Sequence, residues 1–198
     1  MWNEFIFNDK SLIRKAALKK RSRLVEEEAI QKSGIITSKL LALQEFNRSD
    51  VIMCYMDFRN EVRTGDFNFQ CIKCGKRLAL PKIIRHDGKF GAMVAVDVTD
   101  CADDFEVCAF GILEPRKGSG KVIMPSEIDM VIVPGVAFDV SRFRMGYGGG
   151  FYDSFLKQVR ADCVKVGIAF ELQILEELPV EPHDIRLDMI VTESRIII

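Results

Sequence analysis

Two spacings of apolar residues alternate along the chain. From Asn8 the period is helical: Leu12, Ile13, Ala16, Ala17, Leu24 and Val25 form an apolar stripe beside Lys10, Arg14, Lys15, Lys19 and Lys20, with Asn8 or Asp9 as cap. A second helix is predicted from Glu26 to Phe46, with Gly34 as its weak point. Asp50 to Met56, DVIMCYM, is a continuous apolar run of the kind a strand covered on both faces requires. Thr64 then caps a helix to about Cys74, and Gly75 stops it. Arg77–Ile84, Lys89–Val98, Ile128–Phe138 and Val164–Phe170 read as strands, and Asp188–Ile198 as an edge or final strand. Helices are predicted from Tyr152 to about Arg160 and from Leu172 to Leu178, whereas Cys101–Ile112 follows neither period. Strands alternating with helices predict an α/β fold: a single, three-layer domain with a mostly parallel sheet and helices on both faces.

Composition narrows the class. The 198 residues are 48% hydrophobic and 29% charged, ordinary for a soluble globular domain, and no apolar run is long enough to span a bilayer. The opening MWNEFIFNDK carries acids early and does not read as a secretory signal, so a cytoplasmic protein is expected. A formal net charge of −1 argues against a broad nucleic-acid footprint, so an anionic ligand must be met by local clusters. The cysteines at 54, 71, 74, 101, 108 and 163 sit mostly in apolar surroundings, which favours buried thiols over disulfides. Cys71 and Cys74 have metal-ligand spacing but no second pair, so structural zinc is not supported. His86 and His183 have no evident acid–base task.

Chemistry concentrates in Met130–Leu156. A β-branched run breaks at Pro134-Gly135, glycines follow at 146, 148, 149 and 150, and a helical pattern reopens at about Phe151. Strand, glycine loop and helix start place backbone N–H groups and a helix dipole around a phosphate. Phe151 stands where a dinucleotide fingerprint has its third glycine, and no Gly-Lys-Ser/Thr ending marks a P-loop. A glycine-rich turn without ligand remains the plain alternative. Arg142 and Arg144 can pair with phosphate oxygens; Asp153 and Asp188, if they converge, offer hard ligands for Mg²⁺. Lys10 and Arg14 share one helical face, which alone reads as solvated. Glu61 follows the carboxyl end of a strand, the edge where open α/β sheets bind ligands.

Lys10-x-x-x-Arg14, Asn60-Glu61-Val62-x-Thr64, Gly75-Lys76 before the Pro81 strand, Gly111-Ile-Leu-Glu-Pro115, VPGVAFD, RMGYGGGFYD and LDMIVTE, in that order, resemble the 5-formyltetrahydrofolate cyclo-ligase family. The resemblance covers essentially the whole chain. It implies ATP-dependent, Mg²⁺-dependent closure of 5-formyltetrahydrofolate to 5,10-methenyltetrahydrofolate by a monomer. It also implies that Lys10, Arg14 and the loop Arg144, Met145, Gly146, Tyr147, Gly148, Gly149, Gly150, Phe151 and Tyr152 bind ATP. Met56, Glu61 and Tyr147 through Phe151 would bind the folate, Arg144 and Tyr152 would be catalytic, and Asp153 and Asp188 would hold the metal. Two positions depart from the family pattern: Arg142 replaces a usual glycine, and Gly149 stands where some members carry a cation that Arg142 or Lys82 would have to supply.

Overall fold

The computed structural model describes residues 9–86, 89–99, 105–107, 111–116, 118 and 120–198. Asn8, Cys101, Cys108 and most of the 101–112 segment lie outside these residues. Helix α1 (Lys10–Arg21) is capped by Asp9, whose side chain accepts from the Ser11 and Leu12 amides, and it ends on Lys19, Lys20 and Arg21, which complement the dipole. Leu24 and Val25 therefore fall beyond it; Leu24 is buried, whereas Leu12 and Val25 are exposed rather than part of a buried stripe.

Helix α2 (Glu26–Ala42) passes through Gly34 unbroken, and the break comes at Leu43, whose extended backbone separates it from α3 (Gln44–Arg48). A Cβ at Gly34 would meet nothing within 4 Å, so no packing demand acts on it, whereas Leu43 packs against the core. Burial outweighs the modest helix penalty of a single glycine.

An eight-stranded sheet forms the centre, apart from a two-stranded ladder of β4 (Phe105–Val107) and β5 (Leu113–Pro115). In spatial order its strands are β13 (Ile196–Ile197), β12 (Met189–Val191), β10 (Val164–Ile168), β7 (Met130–Val133), β1 (Val51–Met53), β2 (Arg77–His86), β3 (Lys89–Val98) and β6 (Val122–Ile123). The five strands from β12 to β2 are mutually parallel, and both margins are antiparallel. β2 runs past the predicted Ile84, and Pro81 falls where its pairing with β1 has already ended, so no ladder bond to β1 is lost.

On one face α2, α3 and α4 (Gly65–Lys73) bury Ile36, Leu40, Phe46 and Phe67 against the sheet. On the other lie α5 (Phe151–Leu156) and a small sheet of β11 (Ile174–Leu175), β8 (Ala137–Asp139) and β9 (Arg144–Met145). Three layers and helices on both faces follow, as predicted. The predicted Ile128–Phe138 strand divides at Pro134-Gly135 into β7 and β8, and Leu172–Leu178 is a 3₁₀ turn (Glu171–Gln173) followed by β11. The Gln173 side chain explains the latter: buried, it donates to the carbonyls of Gly135 and Val136 and draws this segment onto β8. Glycine is needed at 135 and 167, because a Cβ there would lie 2.5 and 2.8 Å from the buried Phe138 ring. α1 packs on the small sheet, through Ile13 and Ala17 against Val136, Ala137 and Met145.

None of the four described cysteines is in a disulfide. Among the described residues no helix is long and apolar enough to cross a membrane.

Candidate active site

The chain turns one way from β1 to β2 and the other way from β7 to β10, so a crevice opens beyond the carboxyl ends of β1 and β7. The loop after β1 brings Glu61 there, and the polypeptide after β7 brings the glycine loop.

Contrary to the solvated character of most loop acids, Glu61 is only 6% exposed. Its Oε1 accepts the Tyr147 hydroxyl at 2.8 Å and its Oε2 the Phe58 amide at 3.1 Å. Arg21, equally buried, donates to the Tyr147 oxygen at 2.5 Å, to the Gly135 carbonyl at 3.4 Å, and stands 3.8 Å from Glu61 Oε1. Burial pushes the Glu61 carboxyl above the usual carboxylate range; the Arg21 charge, the Tyr147 hydroxyl and the Phe58 amide oppose it. Met56 lies beside this cluster in sequence, partly buried, its sulfur 3.8 Å from the Asn68 side-chain nitrogen.

Lys10 and Arg14 approach from α1. Arg14 Nε donates to the Gly146 carbonyl at 2.7 Å, and a Cβ at Gly148 would lie 3.8 Å from its guanidinium carbon. Lys10 is held instead by Asp184 at 3.0 Å and Glu181 at 3.2 Å, in the loop before β12. Gly148 and Gly150 have φ of 103° and 67°, conformations open to glycine at little cost. α5 is only six residues long, shorter than predicted, so loop amides and cations, rather than a long helix dipole, are what this segment offers an anion.

Arg144 and Tyr152 are buried donors with capacity left over. Arg144 Nη2 donates to Asp153 Oδ1 at 2.9 Å, its guanidinium lies 5.5 Å from the Tyr152 ring centre, and its Nε has no partner among the described residues. Burial pulls the Arg144 pKa down, against the pull of Asp153, and the Tyr152 hydroxyl, also buried and without a partner among the described residues, is pushed far up. Unsatisfied buried donors are rare enough to call for an explanation, and an acceptor supplied by a ligand is one.

The two carboxylates assigned to Mg²⁺ have different partners. Asp153 sits beside Arg144, whereas Asp188 lies at the amino-terminal edge of the sheet, where its Oδ2 accepts both the amide and the ammonium of Lys165, at 2.7 and 2.8 Å. Among the described residues no three His, Cys, Asp or Glu side chains gather round a common point. Lys82 is occupied by Glu106 and the Pro115 carbonyl. An open groove of about 600 Å³ borders the outer side of the glycine loop, lined by Ala92, Met93, Gly149, Phe151, Ser154 and Gln158.

The 5-formyltetrahydrofolate cyclo-ligase family model matches residues 6–193. The chain belongs to this family. It is 30% identical to the 5-formyltetrahydrofolate cyclo-ligase of Mycoplasma pneumoniae, over 94% of this chain and 99% of that one. The Escherichia coli enzyme of the same name is 29% identical over 90% of this chain and 98% of its own. The solved structure of Aquifex aeolicus 5,10-methenyltetrahydrofolate synthetase superposes with a TM-score of 0.81 at 37% identity, covering 94% of this chain and 91% of that one. For a cyclo-ligase family member the departure at Arg142 now has a backbone meaning. Arg142 adopts φ 72°, the left-handed conformation that glycine takes readily and an arginine takes only with strain.

Arg21 and Asp184 escaped the sequence reading. Arg21 stood among terminal lysines and arginines that a helix dipole already explains. Asp184 lay in a proline loop with no period, and only Lys10 gives it away.

Proposed function

We propose that the chain closes 5-formyltetrahydrofolate to 5,10-methenyltetrahydrofolate at the expense of ATP, releasing ADP and phosphate. Family membership supports the reaction class. The observation that carries the reading is that neighbouring residues of one loop touch two unlike groups: Gly146 the cationic arm of α1, and Tyr147 the buried Glu61. Such a loop can border a nucleotide and a pterin at once.

The N5-formyl group is an amide, and closure must expel its oxygen. Transfer of the γ-phosphoryl group to that oxygen gives an imidate-like phosphate and ADP. N10 then attacks the formyl carbon, the C–O bond breaks, phosphate departs, and N10 loses its proton. Phosphoryl transfer asks mainly for positioning and charge neutralisation. Lys10, Arg14 and the loop from Arg144 to Tyr152 are assigned to the phosphates, with Arg144 and Tyr152 as the dry donors nearest the reacting oxygens. Met56, Glu61 and Tyr147 to Phe151 are assigned to the folate; a carboxylate suits the paired donors of an aminopyrimidine ring.

Asp153 has one oxygen on Arg144 and a second without a partner among the described residues, and it is partly exposed, which fits a Mg²⁺ held by one carboxylate with phosphates and water. The ion would supply charge neutralisation on the phosphates. Asp188 joins that set only by releasing Lys165. Incubation with 5-formyltetrahydrofolate and ATP·Mg²⁺ tests the reading: the methenyl product is seen by its near-ultraviolet absorption, and tight binding without turnover would instead mark a non-catalytic relative.

A further inference from the structure

Lys10, Arg14 and Arg21 lie on one stripe of α1, because steps of four and eleven residues at about 100° each bring them within about 40° of one another. Only Arg21 is inside the protein. Arginine can donate but not accept, so the Tyr147 oxygen must be the acceptor of the Arg21 bond, and its single proton is left for Glu61. The Phe58 amide donates to the other oxygen. Both oxygens of Glu61 are thereby acceptors. A hydrophobic residue in place of Arg21 would leave a carboxylate buried without a counter-charge, and such a group neutralises itself by taking a proton.

We propose that Arg21 is a positioning residue for substrate recognition, fixing Glu61 as an all-acceptor surface for the paired N–H donors of the pterin ring. This rests on the assignment of Glu61 to the folate. The charged and titratable groups around Glu61 are Arg21 from α1, Tyr147 from the glycine loop, Asp57 from its own loop, Tyr55 at the end of β1 and Tyr152 from α5. Among these Arg21 is the cation nearest the carboxylate and the largest opponent of its protonation.

The test is the pH profile of the folate KM. Arg21→Met raises this KM about tenfold near neutrality, equivalent to one unit of displaced titration. The rise shrinks as pH increases and Glu61 ionises, while kcat and the ATP KM stay unchanged. Arg21→Lys keeps the charge and recovers most of the profile. In a Glu61→Gln background Arg21→Met adds nothing, since the group it acts through is gone. A folded Arg21→Met with the parent KM and pH profile, or one that lowers kcat alone, overturns the proposal. Should Arg21→Met not fold, Tyr147→Phe breaks the same link without stranding a charge; a KM rise that diminishes with pH is expected, and no rise or a pH-independent one overturns the proposal. If Glu61→Gln itself leaves the folate KM unchanged, the assignment of Glu61 has failed instead.

Discussion

The two ends of the crevice handle charge differently. At the α1 amino end Lys10 keeps a quarter of its side chain in solvent and rests on two carboxylates, and Arg14 rests on a single carbonyl. At the carboxyl end Arg21 and Glu61 are buried, 3.8 Å apart and bridged by the Tyr147 hydroxyl, and the Phe58 amide holds the other oxygen of Glu61. Partly solvated pairs are weak and screened by salt, so they are readily exchanged for a stronger anion. Buried pairs are costly to break, and they hold direction. This is the division a triphosphate and a neutral pterin ring would require: the first brings its own charge to waiting cations, while the second has only donor geometry to be read. A cation that must let go of its partner and one that must never let go are placed at opposite ends of the same helix.

Substitutions can break that division, and the largest effect is expected where the two ends meet. Asp153→Asn should lower kcat about a hundredfold, the scale on which lost transition-state stabilisation is felt, with melting temperature little changed; unaltered turnover at saturating Mg²⁺ would remove Asp153 from the metal site. Glu61→Gln should raise the folate KM about thirtyfold, the loss of a charge-assisted bond of about 2 kcal/mol, and leave the ATP KM alone. Arg14→Ala should do the converse, raising the ATP KM about tenfold with the folate KM fixed. In the parent protein the ATP KM should climb with ionic strength more steeply than the folate KM, and equal slopes in a salt titration would erase the contrast between the ends. Asp188→Asn should be the mildest. With Lys165 engaged as found, turnover stays within about twofold, the range of a substitution remote from chemistry, whereas a fall like that of Asp153→Asn would place Asp188 on the metal.

The sequence made the scaffold of this crevice legible wherever local pattern and burial agree. The apolar runs at 51–53, 130–133 and 164–168 are the parallel centre, and the stop at Gly75 ends α4 where predicted. Long-range partners were the illegible part. Leu43 breaks the helix because the core claims it, Gln173 unwinds a short helix by reaching Gly135, and α5 stops at Leu156 short of its predicted end. The same holds for the site. The glycines stood out by type and spacing, and Arg14 only through the family resemblance, but the bond from Lys165 to Asp188 and the burial of Arg21 depend on elements far apart in the chain. Residues that face each other across such distances leave no mark on periodicity.

Because α1 is continuous from Lys10 to Arg21, its ends are separated by a fixed length of about 16 Å, at about 1.5 Å per residue. The helix is then a ruler as well as an arm. Inserting one residue between Arg14 and Arg21 would lengthen it only slightly but twist one end against the other by about 100°, so no rotation of the rod could seat both. Spacing within this segment is under a tighter constraint than the identity of the exposed lysines that decorate it.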